Sequence, residues 1–597
     1  MSAPAPISIP LSARFRRDDL PVSACSSPRS IAVFSGGSAM NTFVTLLQST
    51  TDDTAYIMPV SDDGGSTSEI IQVLGGPGIG DLRSRVVRLA ETSSAESKAV
   101  HDLLSYRLPF DSKDPDAPKR QSAKAEWLEM LEGRHSLWRN ISHPYRETIR
   151  TFLAHFQHEL FKSATRRPPF DFQGGSIGNF FLTGSRLFFD NLDAAVFQFT
   201  RIMRVPPRTE VVPVLATSRG SVTIAAAQRD GNVIFGQCEI SHPGQVAPEG
   251  ARPRTGSLGS IEDEFENPPF HSLTRNISQN LIFNKALCPM LDSPIRRIYY
   301  VNREQQEIFP DLNPLVGSQL ARKRTVIYGC GSLYTSILPC LVVPGVGRLL
   351  ADPPNSTLSS APPRFPIRNP LSRVKILMLN GSHDRETNQY TALDFILAIT
   401  DALNYSCMVD AHRESSAGAA TTGVNGSRRS SVSGTRAAVM QDLAGTLHKS
   451  DRDRDGRPAG VDWWLGDPTE CTIASGSPRM LRPPTATGGK PKPPAPVTTT
   501  LKPPPPSYHA PQPQPEPGSA FLESVPGRVY LSSPHPPQAY ITHMLYPEDG
   551  AVRVETDRIE ALGIRCVRVR SAAANDPSQK GLYGIDELRE VLDHLIM

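Results

Sequence analysis

The sequence predicts an α/β fold: a mostly parallel β-sheet covered by helices on both faces, with long insertions that have no core of their own. Three observations predict it. Short apolar runs alternate with helical periodicity over most of the chain. The runs at Ile31–Phe34, Tyr56–Val60 and Thr325–Tyr328 each lead into a glycine-bearing turn. Hydrophobic residues are only 39% of the 597 while prolines number 56, so an ordinary core is diluted by segments that cannot offset their own chain entropy.

The elements follow in order. Residues 1–29, rich in Ser and Pro, read as a disordered tail. Ile31–Phe34 is a strand, Ser35-Gly36-Gly37-Ser38 a turn and Asn41–Leu47 a helix, the first half of a βαβ unit; Tyr56–Val60 is its second strand. Over 122–162, Trp127, Leu128, Leu131, Ile149, Phe152, Leu153 and Phe156 recur at helical steps. Phe180–Phe189 reads as a buried helix after Gly178. Glu210–Leu215, Ser221–Ala226 and Asn232–Cys238 read as strands, with a hairpin at Asp230-Gly231. A polar insertion covers about 241–275. The α/β pattern then resumes with strands at Arg297–Asn302, Thr325–Tyr328 and Lys375–Leu379, a loop at about 351–372, and a helix over Thr391–Leu403. The main domain therefore spans 30–405. Residues 406–524 read as a disordered Ser/Gly/Pro-rich insertion that includes the polyproline stretch Lys502–Pro506. Residues 525–597 complete the core with a strand at 564–569 and a helix at 584–595.

Several function classes are disfavoured. A net charge of +3 gives no basic face, so nucleic acid is not an expected partner. The eight cysteines are scattered and form no C-x-x-C pair, which fits reduced thiols rather than a disulfide framework or a zinc ribbon. No apolar run reads as long enough to span a bilayer; the best, Ser336–Leu350, is broken by Pro339 and Pro344. The N-terminus lacks an apolar signal core, and Asp18 and Asp19 follow Arg14, Arg16 and Arg17, so no membrane contact and a cytoplasmic location are expected. Asp451-x-Asp453-x-Asp455-Gly456 begins like a calcium loop but has Asp462 where the closing Glu belongs, and reads as a charge run. His155 and His158 have no third ligand and read as surface residues. Arg428–Ser431 and Arg254–Ser257 fit a basophilic kinase at a level that Ser-rich sequence reaches by chance. The prolines at 502–516 suit either a proline-recognition module or a spacer.

The chemistry lies in the glycine turns, because a doubly wound sheet gathers such turns at the carboxyl ends of its strands, where ligands bind. Gly36, Gly37 and Ser38 let a phosphate approach the backbone, although the dinucleotide fingerprint G-x-G-x-x-G is absent. Asp62 and Asp63, followed by Gly64, Gly65 and Ser66, put paired carboxylates at a strand end, suited to Mg²⁺, to a ribose hydroxyl or to general base work; the bland alternative is a helix cap at Asp63 and a solvated Asp62. Gly80, Asp81 and Arg83 add an acid and a phosphate-pairing guanidinium. Ser176, Gly178 and Asn179, and then Gly329, Gly331, Ser332, Tyr334 and Ser336, repeat the pattern of glycines and hydroxyl or amide donors.

Taken together, these segments resemble the 2-phospho-L-lactate transferase (CofD-like) family and its relatives, the gluconeogenesis-factor-like nucleotide-sugar binders. Gly36, Gly37 and Ser38 match the family's opening G-G-T-G, with Ala39 in place of its last glycine. Asp62–Ser66 matches D-D-G-G-S; Gly80, Asp81 and Arg83 match G-D-x-R; Ser176, Gly178 and Asn179 match S-x-G-N. Gly329 to Ser336 matches G-x-G-S-x-x-T-S, and Glu386, Thr387, Tyr390 and Thr391 match E-T-x-x-Y-T. The resemblance covers about 30–240, 295–405 and 525–597. It implies a Rossmann-like fold and a nucleotide-linked ligand at the strand ends. In one branch a phospholactyl group moves from a nucleotide diphosphate donor to a deazaflavin alcohol with Mg²⁺; in the other the protein is a non-catalytic metabolic regulator that binds a nucleotide sugar. On this reading Asp62, Asp63 and Asp81 are catalytic, Asp62 and Asp63 also hold Mg²⁺, and the glycines, hydroxyls, Arg83 and Asn179 named above bind the ligand. A second copy of the chain and a proline-recognition module at 502–516 are the expected protein partners. A nicotinamide oxidoreductase ranks below both branches.

Overall fold

The computed structural model describes residues 29–110, 122–164, 169–241, 289–351, 373–421, 534–572 and 579–596, apart from Ser38, 218–219 and 303. By its contacts the chain divides into Met1–Glu414 with Ser533–Met597, and Ser415–Ser532. Both β-sheets belong to the first unit. The sequence expectations for 1–28, Ser38, 242–288, 352–372 and 422–533 fall outside the described residues, including the calcium-like run, the kinase matches and the proline stretch.

The larger sheet is built from β1 (Ser30–Phe34), β2 (Asp53–Met58), β3 (Glu210–Pro213), β8 (Thr325–Tyr328), β9 (Val374–Met378), β10 (His543–Pro547) and β11 (Arg565–Val569). Their order is β11-β10-β9-β8-β1-β2-β3, and every neighbouring pair is parallel. All of β1 and β8 is buried, which is why both read as unbroken apolar runs rather than alternating ones. The chain lays strands outward from β1 in one direction, then returns beside β1 with β8 and continues the other way. This is the doubly wound, Rossmann-like order, and its switch point lies between β1 and β8.

Helices flank the sheet: α1 (Val44–Thr50), α2 (Gly65–Leu74), α3 (Gly80–Leu89) and α4 (Ala95–Ser105) come early. A helical layer follows with α5 (Ala123–Leu131), α6 (His143–Ser163), α7 (Ile177–Phe189) and α8 (Leu192–Ile202). Its core is aromatic: Phe156 stacks on Phe180 at 4.6 Å, and Trp127 meets Phe180 edge-on at 5.1 Å. Then come α9 (Gln237–Ser241), α10 (Pro314–Arg322), α11 (Leu338–Leu341), α12 (Val346–Leu350), α13 (Ala392–Thr421), α14 (Thr556–Ala561) and α15 (Ile585–Leu595).

Three expectations are corrected. Arg297–Asn302 does not resume the parallel sheet. β4 (Thr223–Gln228), β5 (Val233–Phe235), β6 (Ile295–Val301) and β7 (Glu307–Ile308) form a separate antiparallel sheet of order β5-β4-β6-β7. The reason is local: the Asp230-Gly231 hairpin commits β4 and β5 to antiparallel pairing, and β6 then joins β4. Buried Arg297 pairs with Glu307 through two bonds of 2.7 and 2.8 Å, so a charged residue sits inside this layer. Second, the helix expected to stop at Leu403 continues to Thr421, because Tyr405, Ser406 and Val409 are still covered. Third, within that helix Ala392–Arg413 is long and apolar enough to cross a membrane by composition, yet 67% of its most apolar window is buried, as in a core helix of a folded domain. The sequence reading also missed β10, whose five residues end in proline, and helices α2 and α3, whose glycines, serines and arginines hide their period.

Candidate functional site

The turns after β1, β2 and β8 converge at the switch point. Ser336 lies between two of them: a Cβ on Gly36 would meet its Oγ at 2.4 Å, and one on Gly331 would meet its Cβ at 3.4 Å. The Gly329 amide donates to the Phe34 carbonyl at 2.9 Å and ties the β8 turn to the end of β1.

The acidic centre is built from β2 and α3. After β2 the chain carries Asp62 against the start of α3. There an ideal Cβ on Gly78 would lie 2.1 Å from the Asp62 carbonyl oxygen, and one on Gly80 would lie 1.9 Å from Asp62 Oδ2. The two glycines thus let the Asp62 carboxylate settle beside Asp81, the next residue. Gly78 meets backbone that cannot rotate away, so Gly78→Ala is expected to destabilise the protein by about 2 kcal/mol or more; a urea midpoint equal to that of wild type would contradict this contact. The Gly64 amide donates to Asp62 Oδ1 at 3.1 Å, and the Gly37 amide donates to the Asp81 carboxylate. Burial, then the charges of Asp81 and Asp63, pushes the Asp62 carboxyl up to about 8. Burial also raises Asp81, to about 6, against the pull of the Gly37 amide, Arg85 and Arg83. Both acids are half-buried, and Asp81 Oδ2 is a buried oxygen with no hydrogen-bond partner.

The structure gives other predicted residues different work. Asp63 accepts from the amides of Gln237 at 3.1 Å and Cys238 at 2.8 Å, so it caps α9, a helix far along the chain, rather than the helix that follows it. Asp81 and Asp63 both lie close enough to act on the Asp62 charge, and Asp81 is the stronger of the two. The Gly331 amide, expected to cradle phosphate, donates to Asn380 Oδ1 at 3.1 Å, and Asn380 Nδ2 returns a bond of 2.7 Å to the Gly331 carbonyl. The helix after β8 opens with a π-turn over Leu333–Ile337, and its first amides are taken by Glu386: Tyr334 donates at 2.9 Å and Thr335 at 3.2 Å. Tyr334 is buried, with its hydroxyl against Tyr390 at 2.8 Å, and belongs to the core. The protein's own groups therefore hold the amides of Gly37, Gly331, Tyr334 and Thr335.

Ser176 and Asn179 are buried and act behind the site. Ser176 caps α7, and Asn179 Nδ2 donates to Ser66 Oγ at 2.9 Å in the first turn of α2. Asn179 Oδ1 in turn accepts from Arg83 Nε at 3.1 Å. Gly178 has no room for a side chain, since a Cβ would lie 2.5 Å from the Leu104 carbonyl and 3.1 Å from Arg83 Cδ. Among the described residues, Gly65 is exposed at the strand edge, Ser332 is half-buried and the start of α2 has no side-chain cap.

Residues that the sequence reading missed are Arg85, Arg107 and Asn380. Arg85 is fully buried, donates to the Gly36 carbonyl at 2.9 Å and lies over the Tyr56 ring at 4.7 Å. Its one sequence signal was its place four residues after Asp81, on the same face of α3. The His155 and His158 rings lie 6.2 Å apart, tilted by 35°; among the described residues no three acidic, His or Cys side chains form a metal cluster.

The family model for 2-phospho-L-lactate transferase CofD matches residues 31–362, a span that carries the turns after β1, β2 and β8. The chain belongs to the CofD family. The uncharacterized protein YNL011C of Saccharomyces cerevisiae is 34% identical over 399 residues, covering 63% of this chain and 83% of the yeast protein. Two crystal structures of a UPF0052-family protein from Bacillus halodurans align at 18% identity. They cover 63% of this chain and 78% and 76% of theirs, with TM-scores of 0.36 and 0.37. Within this CofD chain, Asn380 and Glu386, which hold the β8 turn and the π-turn, lie beyond the matched span.

Proposed function

We propose that this CofD-family chain is a transferase that moves a phosphate-linked group from a nucleotide-bound donor to an alcohol, as the 2-phospho-L-lactate transferase name of its family indicates. The observation that carries this reading is the Asp62–Asp81 pair at the switch point, with both carboxyls raised and Asp81 Oδ2 left without a partner. Like charges held side by side at a strand edge suit a hard divalent cation with oxygen ligands, and Mg²⁺ fits this donor set. Asp62 and Asp81 would hold it, where it would supply charge neutralisation for a phosphoryl group. Arg85 keeps Asp81 and the Gly36 carbonyl in place, and Gly64 orients Asp62. Binding and orientation both require only residues at this one edge of the sheet.

The test is ligand-dependent thermal unfolding of the full chain with GDP, GTP, UDP, UDP-N-acetylglucosamine, NAD and a deazaflavin, each with and without Mg²⁺. A true ligand at a hundred times its dissociation constant should stabilise the fold by about 2.7 kcal/mol. A Mg²⁺-dependent shift with a guanosine nucleotide or the deazaflavin, followed by turnover, supports the transferase. A shift with the UDP-sugar alone and no turnover moves the assignment to the regulator branch, and a flat response to the panel removes the nucleotide site.

A further inference from the structure

Arg83 and Arg107 come together from separate elements. Arg83 lies in the first turn of α3; its stem crosses α7 at Gly178 and its Nε is fixed by Asn179 Oδ1 at 3.1 Å. Arg107 lies in the stretch after α4, which pairs antiparallel with the lead-in to α7. The Leu108 amide donates to the Gly175 carbonyl at 2.9 Å, the Ile177 amide to the Tyr106 carbonyl at 3.0 Å, and Arg107 sits opposite Ser176. The Ser176 amide reaches Ser66 Oγ at 3.4 Å, so this ribbon abuts the uncapped start of α2. Arg107 is exposed and binds the Gly174 carbonyl at 3.2 Å.

Both of these partners, Asn179 Oδ1 and the Gly174 carbonyl, are neutral oxygens, and neither arginine makes an ion pair among the described residues. Arg83 feels the repulsion of the neighbouring Arg107 charge. Asp62 and Asp81 attract Arg83, and Asp62 attracts Arg107, but no carboxylate lies within ion-pair distance of either guanidinium among the described residues, so the two forked donors lack a direct anionic partner. An anion that bridges them would supply that partner. A phosphoryl dianion matches the pair in charge and in its forked donor geometry, and a carboxylate matches half of it.

The geometry points to a clamp for a phosphoryl dianion, formed by the Arg83 and Arg107 guanidiniums at the start of α2 and next to the Asp62–Asp81 pair. It deepens the proposed function, on whose reading of this strand edge it rests, and it assigns the phosphate-bearing end of the ligand to the α2–α3 side rather than to the turn after β8.

The test is calorimetric titration of the full chain with inorganic pyrophosphate at low salt without metal, for wild type, Arg83→Gln, Arg107→Gln and Arg107→Lys. Arg107→Gln and Arg83→Gln should each weaken binding by about tenfold or more, as expected for loss of one charge-assisted contact. Arg107→Lys should retain part of the affinity, because the charge stays and the fork is lost. Arg107 is exposed, so its variants should keep the wild-type melting temperature. Wild-type affinity in Arg107→Gln, or no pyrophosphate binding by wild type, overturns the clamp. Mg²⁺-dependent GDP binding on the same samples separates the two ideas. A nucleotide bound with Arg107→Gln unaffected sinks the clamp alone. Pyrophosphate held by the arginines with no nucleotide bound sinks the nucleotide reading alone.

Discussion

Glu386→Ala is expected to destabilise the fold by about 3–5 kcal/mol, read from denaturant midpoints, because several buried donors lose their acceptor at once. Glu386 is itself buried and accepts from the Tyr334 and Thr335 amides and pairs with the Thr335 hydroxyl at 2.5 Å. Alanine leaves these groups in a site that water does not reach. Glu386→Gln should cost much less, since an amide oxygen still accepts. It should also change the pH dependence. Burial, then the Asp384 charge, pushes the Glu386 carboxyl from 4.5 up to about 8, against the three hydrogen bonds. A carboxyl raised by folding contributes stability that is complete below its unfolded value and is lost as pH climbs through the folded value. Wild type should therefore lose stability between about pH 5 and 8 in a way that Glu386→Gln does not, and the gap between them should narrow across that window. Parallel stability curves for the two proteins would rule out this reading of Glu386.

Asp62→Asn is expected to raise stability and remove function together. The Asp62 carboxyl, raised to about 8 by burial and by the charges of Asp81 and Asp63, contributes stability at low pH that drains away as pH rises toward 8. Asparagine is uncharged and keeps an Oδ1 for the Gly64 amide. At pH 8 the variant should be about 1–3 kcal/mol more stable than wild type, a range reduced for the contact this half-buried group keeps with water. The same change should abolish the Mg²⁺-dependent part of ligand stabilisation and lower turnover by about a hundredfold or more. Thermal unfolding at pH 5 and pH 8, with and without Mg²⁺ and nucleotide, checks both halves. An unchanged melting temperature at pH 8 would remove the charge repulsion argument, and an intact Mg²⁺ response would remove Asp62 from the metal site.

The sequence by itself determined the parallel sheet and the glycine turns at its carboxyl edge. Strands buried on both faces must be apolar without a break, so β1, β2 and β8 were legible from composition alone, and the glycine turns after them marked the carboxyl edge. It also pointed to Asp62, Asp81 and Arg83, because acids and an arginine beside glycines at strand and helix ends are legible within a few residues. Only the tertiary structure decided which group serves which. Asp81 takes the Gly37 amide, Asp63 caps α9 and Glu386 fills the helix start after β8. These partners lie 44, 175 and 52 residues apart along the chain, and no local period connects them. A carboxylate next to glycines has the same sequence signature whether it awaits a ligand or satisfies a distant backbone amide. Strand order brings the partners together, and the requirement that buried N–H groups be paired then divides the acids between structural caps and the Asp62–Asp81 pair.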